Sequence, residues 1–327
     1  MKLIVIIPAF NEAKSIGELL AHMPDLKKLK INLQAVVVDD GSSDGTAEIA
    51  KKSGAVVLRH TQNEGLGKTI QDGVKYFLEQ NADILVNIDA DMQYDPKDIL
   101  KLIQPILDDI ADFVSAERFN EASGETKRPA HMSWIKFWGN QVMTKLVNSL
   151  AGTQLGDVSS GFRAMNREAA LHLNLTGHYT YTHETIIDLA FKGLRLISVP
   201  IQVRYFPDRQ SRVANNLFQY TSQTLRIILK AFRDYKPLFF FSVLATIPLL
   251  MGTAMIIFIL IHYFLTGEFS PYKFIGFTGV YLFSLGLLLV IIGFLADILA
   301  GMRMTLEKQL YLQKKSMQKK DSWFAKK

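Results

Sequence analysis

Asp89, Asp91 and Gln93 stand at alternate positions directly after the apolar run Ile84–Ile88. On extended backbone alternate residues share a face, so these three side chains can point into one crevice. Two carboxylates packed this closely repel each other unless a cation lies between them. Oxygen donors with open coordination positions suit Mg2+ or Mn2+ bridging to phosphate oxygens. A cation held there would neutralise charge on a departing nucleoside diphosphate. Asp-x-Asp by itself is a common chance pattern. Its weight here comes from its place at the end of a buried strand, after three other turns marked by glycine and acid.

The first of those turns is Pro8-Ala9-Phe10-Asn11-Glu12, after the apolar run Leu3–Ile7. A strand turning into a helix there would offer backbone N–H groups, Asn11 and Glu12 to a base, ribose or phosphate. The second runs from Val38 to Thr46 and holds Asp39, Asp40, Gly41 and Gly45. An acidic residue at the end of a second strand is well placed for a ribose hydroxyl or a base. The third, Asn63 to Thr69, holds Gly65, Gly67 and Lys68. It is not a P-loop, because Gln62 occupies the position of the first required glycine. What remains is a glycine-rich turn opening a helix, with Lys68 near a diphosphate. No Gly-x-Gly-x-x-Gly follows the first strand, which disfavours a dinucleotide oxidoreductase.

The elements that must position these groups follow from periodicity. Leu3–Ile7, Ala35–Val38, Ala55–Leu58, Ile84–Ile88 and Phe113–Ser115 read as strands. Ala13–His22, Thr46–Ser53, Lys68–Gln80 and Pro96–Asp108 read as the helices between them. Such alternation predicts an α/β fold with a mostly parallel sheet, whose ligands bind at the carboxyl ends of the strands. Trp134, Ile135, Trp138, Val142, Leu146 and Leu150 recur at helical spacing, as do Leu217, Tyr220, Thr224, Leu225, Ile228 and Phe232. Both stripes either pack on the domain core or lie in a membrane interface.

Composition bounds the rest. Of 327 residues, 49% are apolar and 21% charged, far from the disordered class. Without cysteine, a metal must be held by oxygen or imidazole. Leu238–Leu265 has no formally charged residue over 28 positions and Phe274–Ala296 none over 23. About 20 apolar residues cross a bilayer as a helix, so both stretches suffice. Arg226, Lys230, Arg233 and Lys236 precede the first, and eight Lys/Arg lie between Arg303 and the end. Flanking apolar spans, these basic groups fit a membrane surface better than nucleic acid, and no nucleic-acid partner is expected. Basic outer flanks place both ends of the hairpin on the cytoplasmic side. Leu3–Ile7, five residues closed by Pro8, reads as a strand rather than a secretory segment.

In order and spacing the four clusters resemble the family 2 inverting glycosyltransferases of GT-A fold. Within that family the chain is similar to the dolichyl- and polyprenyl-phosphate sugar synthases, from residue 1 to about 235. The hairpin resembles the anchor of two-span members. The resemblance implies a catalytic domain over 1–214, an amphipathic interface helix over 215–237, two membrane helices within 238–300 (about 238–265 and 274–297) and a basic tail over 301–327. It implies donor binding by Pro8, Asn11, Glu12, Asp40, Gly65, Lys68, Asp89 and Asp91. Asp89, Asp91 and Gln93 would hold Mg2+ or Mn2+, with Asp91 catalytic. Ser115-Ala116-Glu117-Arg118 resembles the family's Gly-Ser-Arg, with Ala-Glu where Gly-Ser is usual. Asp157-Val158-Ser159-Ser160-Gly161-Phe162-Arg163 is close to its Asp-x-x-Ser-Gly-Phe-Arg. Arg118, Arg128 and Arg163 are then expected at a lipid phosphate, and Arg212 in a loop closing over the donor.

The implied reaction moves a hexose from a UDP- or GDP-linked sugar to a polyprenyl (dolichyl-type) phosphate, with inversion, at a membrane lipid surface. A phosphate monoester has a second pKa of about 6, so such an acceptor is largely dianionic and needs no general base. It needs positioning, which guanidinium groups provide. The alternative acceptor is a hydroxyl of a lipid-linked saccharide, for which His183-Glu184 would supply the base. The Gln-x-x-Arg-Trp of processive synthases does not occur, so one transfer per acceptor is expected. A non-catalytic membrane module is disfavoured because the Asp89/Asp91/Gln93 set is intact.

Overall fold

A computed structural model describes residues 1–119, 128, 132–174, 181–204, 229–230 and 232–324, without the side chains of 135, 181 and 317–324. Arg212 and most of the expected 215–237 helix lie outside these residues. The chain divides into two compact units, Met1–Thr224 with Leu310–Lys327, and Leu225–Gln309.

The first unit is built on a seven-stranded sheet. Its strands are β1 (Lys2–Ala9), β2 (Asn32–Asp39), β3 (Val56–Arg59), β4 (Ile84–Asn87), β5 (Phe113–Glu117), β6 (Arg163–Asn166) and β7 (Leu196–Pro200), in the order β3-β2-β1-β4-β6-β5-β7. β1 is buried from Leu3 to Ala9, the pattern of a central parallel strand covered on both faces. It pairs with β2 and β4 in parallel, with Ala9 beside Asp39 and Ile6 beside Asn87. That register brings the chain exits of β1, β2 and β4 to one edge. β6 runs antiparallel to both β4 and β5, so the sheet is mixed, as the mostly parallel expectation allows.

The covering helices are α1 (Ile16–Ala21), α2 (Thr46–Lys52), α3 (Leu66–Glu79), α4 (Ile99–Leu107), α5 (Trp134–Ala151), α6 (Arg167–His172) and α7 (Tyr181–Phe191). Asp95 caps a short turn at Pro96–Asp98 that leads into α4, its carboxylate accepting from the Lys97 N–H. Ser133 caps α5, and Gly152 ends it in the left-handed conformation at φ 68°. Phe137, Met143, Val147 and Leu150 of α5 are buried, whereas Trp134, Trp138, Val142 and Leu146 are exposed. The expected stripe is therefore split: Leu150 packs inward, and the two tryptophans, each 60% exposed, do not.

The second unit contains α8 (Pro237–Thr266) and most of α9 (Lys273–Phe324). Among the described residues these are the helices long and apolar enough to cross a membrane. Gly252 lets them touch, because a Cβ there would lie 2.5 Å from the Phe283 nitrogen. α9 does not stop near 297. It continues through the basic segment to Phe324, and from Leu310 onward it belongs to the first unit. There Tyr311 stacks on His172 at 4.1 Å between ring centroids. Lys314 donates to the Leu173 carbonyl and to Asn174 Oδ1, both at 3.0 Å, and so caps the end of α6. The basic tail is thus a docked helix end rather than a separate segment.

Candidate active site

The turns after β1 and β2 are laced together. Asn11 has φ 56°, a left-handed conformation that Asn tolerates. Its N–H donates to Ser42 Oγ at 2.9 Å, and its Oδ1 accepts from the Ser43 N–H at 3.0 Å. The Glu12 N–H donates to Thr46 Oγ1 at 2.9 Å, and Glu12 Oε2 accepts from Ser15 Oγ at 2.9 Å. Pro8 is a buried residue of β1. The donor-site residues expected on the first turn therefore do double duty in holding the second.

Asp40 is 4% exposed. Its Oδ1 accepts from the Glu64 N–H at 2.8 Å and its Oδ2 from the Gly65 N–H at 2.9 Å. It thus shapes the Asn63–Gly65 turn, whose Gly65 has φ 91°, a region that favours glycine. His60 bridges Asp40 and Asp72, and Lys68 donates to Asp72 at 2.8 Å. His60 and Asp72 are members of this network that no motif pointed to.

Beyond β4, Asp89 is half-buried and lies against Gly161. Burial, then the neighbouring charge of Asp91, push the Asp89 carboxyl up to about 7, against the pull of Arg118 and Arg163. Glu12 adds to the negative field. Met92 at φ 60° turns the chain, and the Gln93 N–H closes onto Asp91 Oδ1 at 3.0 Å. The Gln93 carbonyl accepts from the Arg204 N–H at 2.9 Å. Asn87 donates to the Gly161 carbonyl at 2.7 Å, tying β4 to the 157–162 segment. Tyr94 is buried and its hydroxyl lies 2.9 Å from Ser160 Oγ.

The three expected arginines divide. Arg118 grips the fully buried Asp157 with Nε at 2.6 Å and Nη2 at 3.2 Å, and reaches Ser159 Oγ at 2.6 Å. Burial opposes the Asp157 charge, but Arg118 and the Ser159 groups outweigh it and hold the carboxyl below its ordinary range. Arg128 is exposed, stacks over Trp134 at 4.8 Å and donates to the Met132 carbonyl. Arg163 departs from the expectation. It is 1% exposed, and its nitrogens donate to the carbonyls of Ser160, Thr182 and Val158 at 2.6, 2.7 and 2.9 Å. A guanidinium so enclosed holds the fold around the site and does not reach a lipid phosphate.

Of the His183-Glu184 pair expected to supply a base for a hydroxyl acceptor, with Glu184 as the base, His183 is buried and Glu184 half-buried. Burial and the Arg163 charge draw His183 down to about 4, so it is neutral at pH 7. Glu117, one of the residues replacing the familiar Gly-Ser, is also buried and accepts from Ser198 Oγ at 2.8 Å. Burial raises its carboxyl above the ordinary range.

A mixed sheet carrying an acidic pair beyond its fourth strand is the GT-A type of nucleotide-dependent fold. The solved glucosyl-3-phosphoglycerate synthase from Mycobacterium tuberculosis, in complex with Mn2+, UDP-glucose and phosphoglyceric acid, superposes with a TM-score of 0.54. That match covers 69% of this chain and 79% of that one at 20% identity, which speaks to fold alone. The chain belongs to glycosyl transferase family 2, whose family model matches residues 4–173. It is 31% identical to the UDP-N-acetylglucosamine–dolichyl-phosphate N-acetylglucosaminyltransferase of Methanococcus voltae, over 64% of this chain and 89% of that protein. It is 30% identical to a dolichyl-phosphate hexose transferase of Haloferax volcanii, over 62% and 82%.

Proposed function

We propose that this chain transfers a hexose from a UDP- or GDP-linked sugar to a polyprenyl phosphate of the dolichyl type, once per acceptor and with inversion at the anomeric carbon. The observation that carries the reading is the Asp89/Asp91 pair, two carboxylates in mutual repulsion beside Arg118 at the sheet's carboxyl edge. The relatives that act on dolichyl phosphate support the acceptor class.

Among the described residues no three or more His, Cys, Asp or Glu side chains cluster to hold a metal. Two carboxylates with the Gln93 amide form an oxygen set that leaves positions for substrate phosphates, which fits Mg2+ or Mn2+. Bound there, the cation would neutralise charge on the leaving diphosphate. The protein's own work is positioning. Asn11, Glu12 and the Asp40-braced turn with Gly65 and Lys68 take the nucleotide. Arg128, exposed beside Trp134, meets the acceptor phosphate, and Arg118 faces it from a frame fixed by Asp157. A dianionic acceptor needs orientation rather than deprotonation. Arg163 stabilises the frame. Arg212 is assigned to the loop over the donor. α8 and α9 anchor the enzyme in the membrane, with the catalytic unit and both termini on the cytoplasmic side.

The test is transfer from labelled UDP- and GDP-sugars, with Mg2+ or Mn2+, to polyprenyl phosphate in membranes. An acid-labile lipid monophosphate sugar supports the reading. Label that appears only on a lipid-linked saccharide shifts the acceptor to a hydroxyl and overturns it.

A further inference from the structure

Both ring nitrogens of His60 face carboxylates: Nδ1 lies 2.8 Å from Asp40 Oδ1, and Nε2 lies 3.1 Å from Asp72 Oδ2. A neutral imidazole carries one N–H and one lone pair. Only the imidazolium donates on both sides, so the geometry selects the charged ring. Its side chain is 10% exposed and that of Asp40 6%, so the contact with Asp40 is shielded from water, whereas Asp72 is 27% exposed.

Each carboxylate passes the connection on. Asp40 accepts from the N–H groups of Glu64 and Gly65, and the other Asp72 oxygen accepts from Lys68. The chain of contacts therefore runs from the turn before α3, through Asp40, His60 and Asp72, to Lys68 in the first turn of α3. Glu64 adds a third negative charge near the ring. Arg59 points elsewhere, to Asp39, Glu48 and the Ser42 carbonyl. Burial pulls His60 towards neutrality, but Asp40, Asp72 and Glu64 outweigh it and raise its pKa above the ordinary 6.5.

We propose that His60 is a positioning residue of the donor site: its imidazolium ties Asp40 to Asp72 and so fixes the Glu64–Gly65 turn and Lys68 against the nucleotide. This rests on the donor site proposed above. Deprotonation of His60 leaves one carboxylate facing a lone pair, releases the tie and loosens the turn.

The full-length protein is compared with His60→Gln, which holds one carboxylate without charge, and His60→Arg, which keeps the charge and several donors. The tie itself is read without ligand. Ring-carbon NMR of the wild type should place the His60 pKa above 6.5. His60→Gln should melt earlier than wild type at about pH 6, and the deficit should close as pH rises through that pKa. A pKa below 6.5, or a deficit that does not change with pH, overturns the tie. The positioning role is read as UDP and GDP affinity with Mn2+, as a ratio to wild type at each pH, which cancels the titration of Asp89. His60→Gln should bind about tenfold more weakly at about pH 6, and His60→Arg within about twofold of wild type. Equal affinity in His60→Gln refutes the role. If wild type binds neither nucleotide, the donor-site reading falls and the positioning role with it, while the melting comparison still decides the tie.

Discussion

Gly161 and Asp89 touch so closely that any side chain at 161 must displace the Asp89 carboxylate: a Cβ built there would lie 2.4 Å from Asp89 Oδ2. The glycine keeps β6 and its preceding turn pressed on the acidic pair. Gly161→Ala is expected to push the Asp89 carboxylate aside. Displacing a group by about 1 Å can cost about a hundredfold in rate. Transfer assays should show that loss in kcat, together with a modest drop in Tm. Unchanged kcat would remove Asp89 from the reaction.

The raised Asp89 pKa sets a pH rule for the metal-free protein. Between the unfolded carboxylate pKa and about 7, the native state binds more protons than the unfolded chain. Its stability therefore falls as pH rises across that window. Asp91→Asn removes the repulsion and leaves the Gln93 contact possible. It should raise the Tm of chelator-treated protein at neutral pH by an amount worth about 1 kcal/mol, while lowering transfer by at least about a hundredfold. Added Mn2+ should stabilise wild type and release protons near pH 7, and should do neither in the variant. Calorimetry in buffers of different ionisation enthalpy checks both.

Arg118 and Asp157 behave as one unit. Truncating Arg118 to Ala leaves the fully buried Asp157 without its cation, a change that costs about 3–5 kcal/mol. Arg118→Ala/Asp157→Asn should recover part of the loss in a double-mutant cycle by denaturant unfolding. Additive effects would show that the bidentate contact has no energetic weight.

Arg163 and Arg128 should separate by phenotype. Arg163→Ala strands the buried carbonyls of Ser160 and Val158 and the part-buried one of Thr182, and should cost about 3–5 kcal/mol of stability, because each such group carries its own desolvation penalty. Arg128→Ala should leave stability within about 0.5 kcal/mol of wild type. It should instead raise the apparent KM for polyprenyl phosphate and leave the KM for the nucleotide sugar alone. The opposite pattern would return Arg163 to the acceptor.

The strands from β1 to β5 were legible as runs of apolar residues, most of them closed by proline or an acid. β6 was not. Its sequence, Arg163-Ala164-Met165-Asn166, has no β-branched residue, and only its place between β4 and β5 makes it a strand. The acidic pair was legible from its place after the apolar run of β4, but the extended alternation expected of Asp89, Asp91 and Gln93 gives way to a turn at Ala90–Asp91, with Met92 at φ 60°. The inward course of Arg163 was not, since its three carbonyl partners come from a loop and from the residue 19 positions away. His60 escaped notice for the same reason: its partners stand 20 and 12 residues off, and only the β2–β3 pairing and α3 gather them. The end of α9 was misread because a basic, polar stretch after an apolar span carries no sign of whether it has a surface to dock on.

β5 and β6 are neighbours, with Ser115 beside Arg163 and the Ala116 N–H bonded to the Phe162 carbonyl at 2.9 Å. Residues 118–162 therefore leave and re-enter the sheet at one point. Such an excursion can change in length with only a logarithmic entropic cost, because its base is closed by the ladder whatever it carries. The turns proposed for the nucleotide all belong to the other side, on β1 through β4. The excursion is nonetheless coupled to that side where it returns to the sheet: Gly161 packs on Asp89 and its carbonyl accepts from Asn87, so a change within residues 118–162 is felt at the acidic pair.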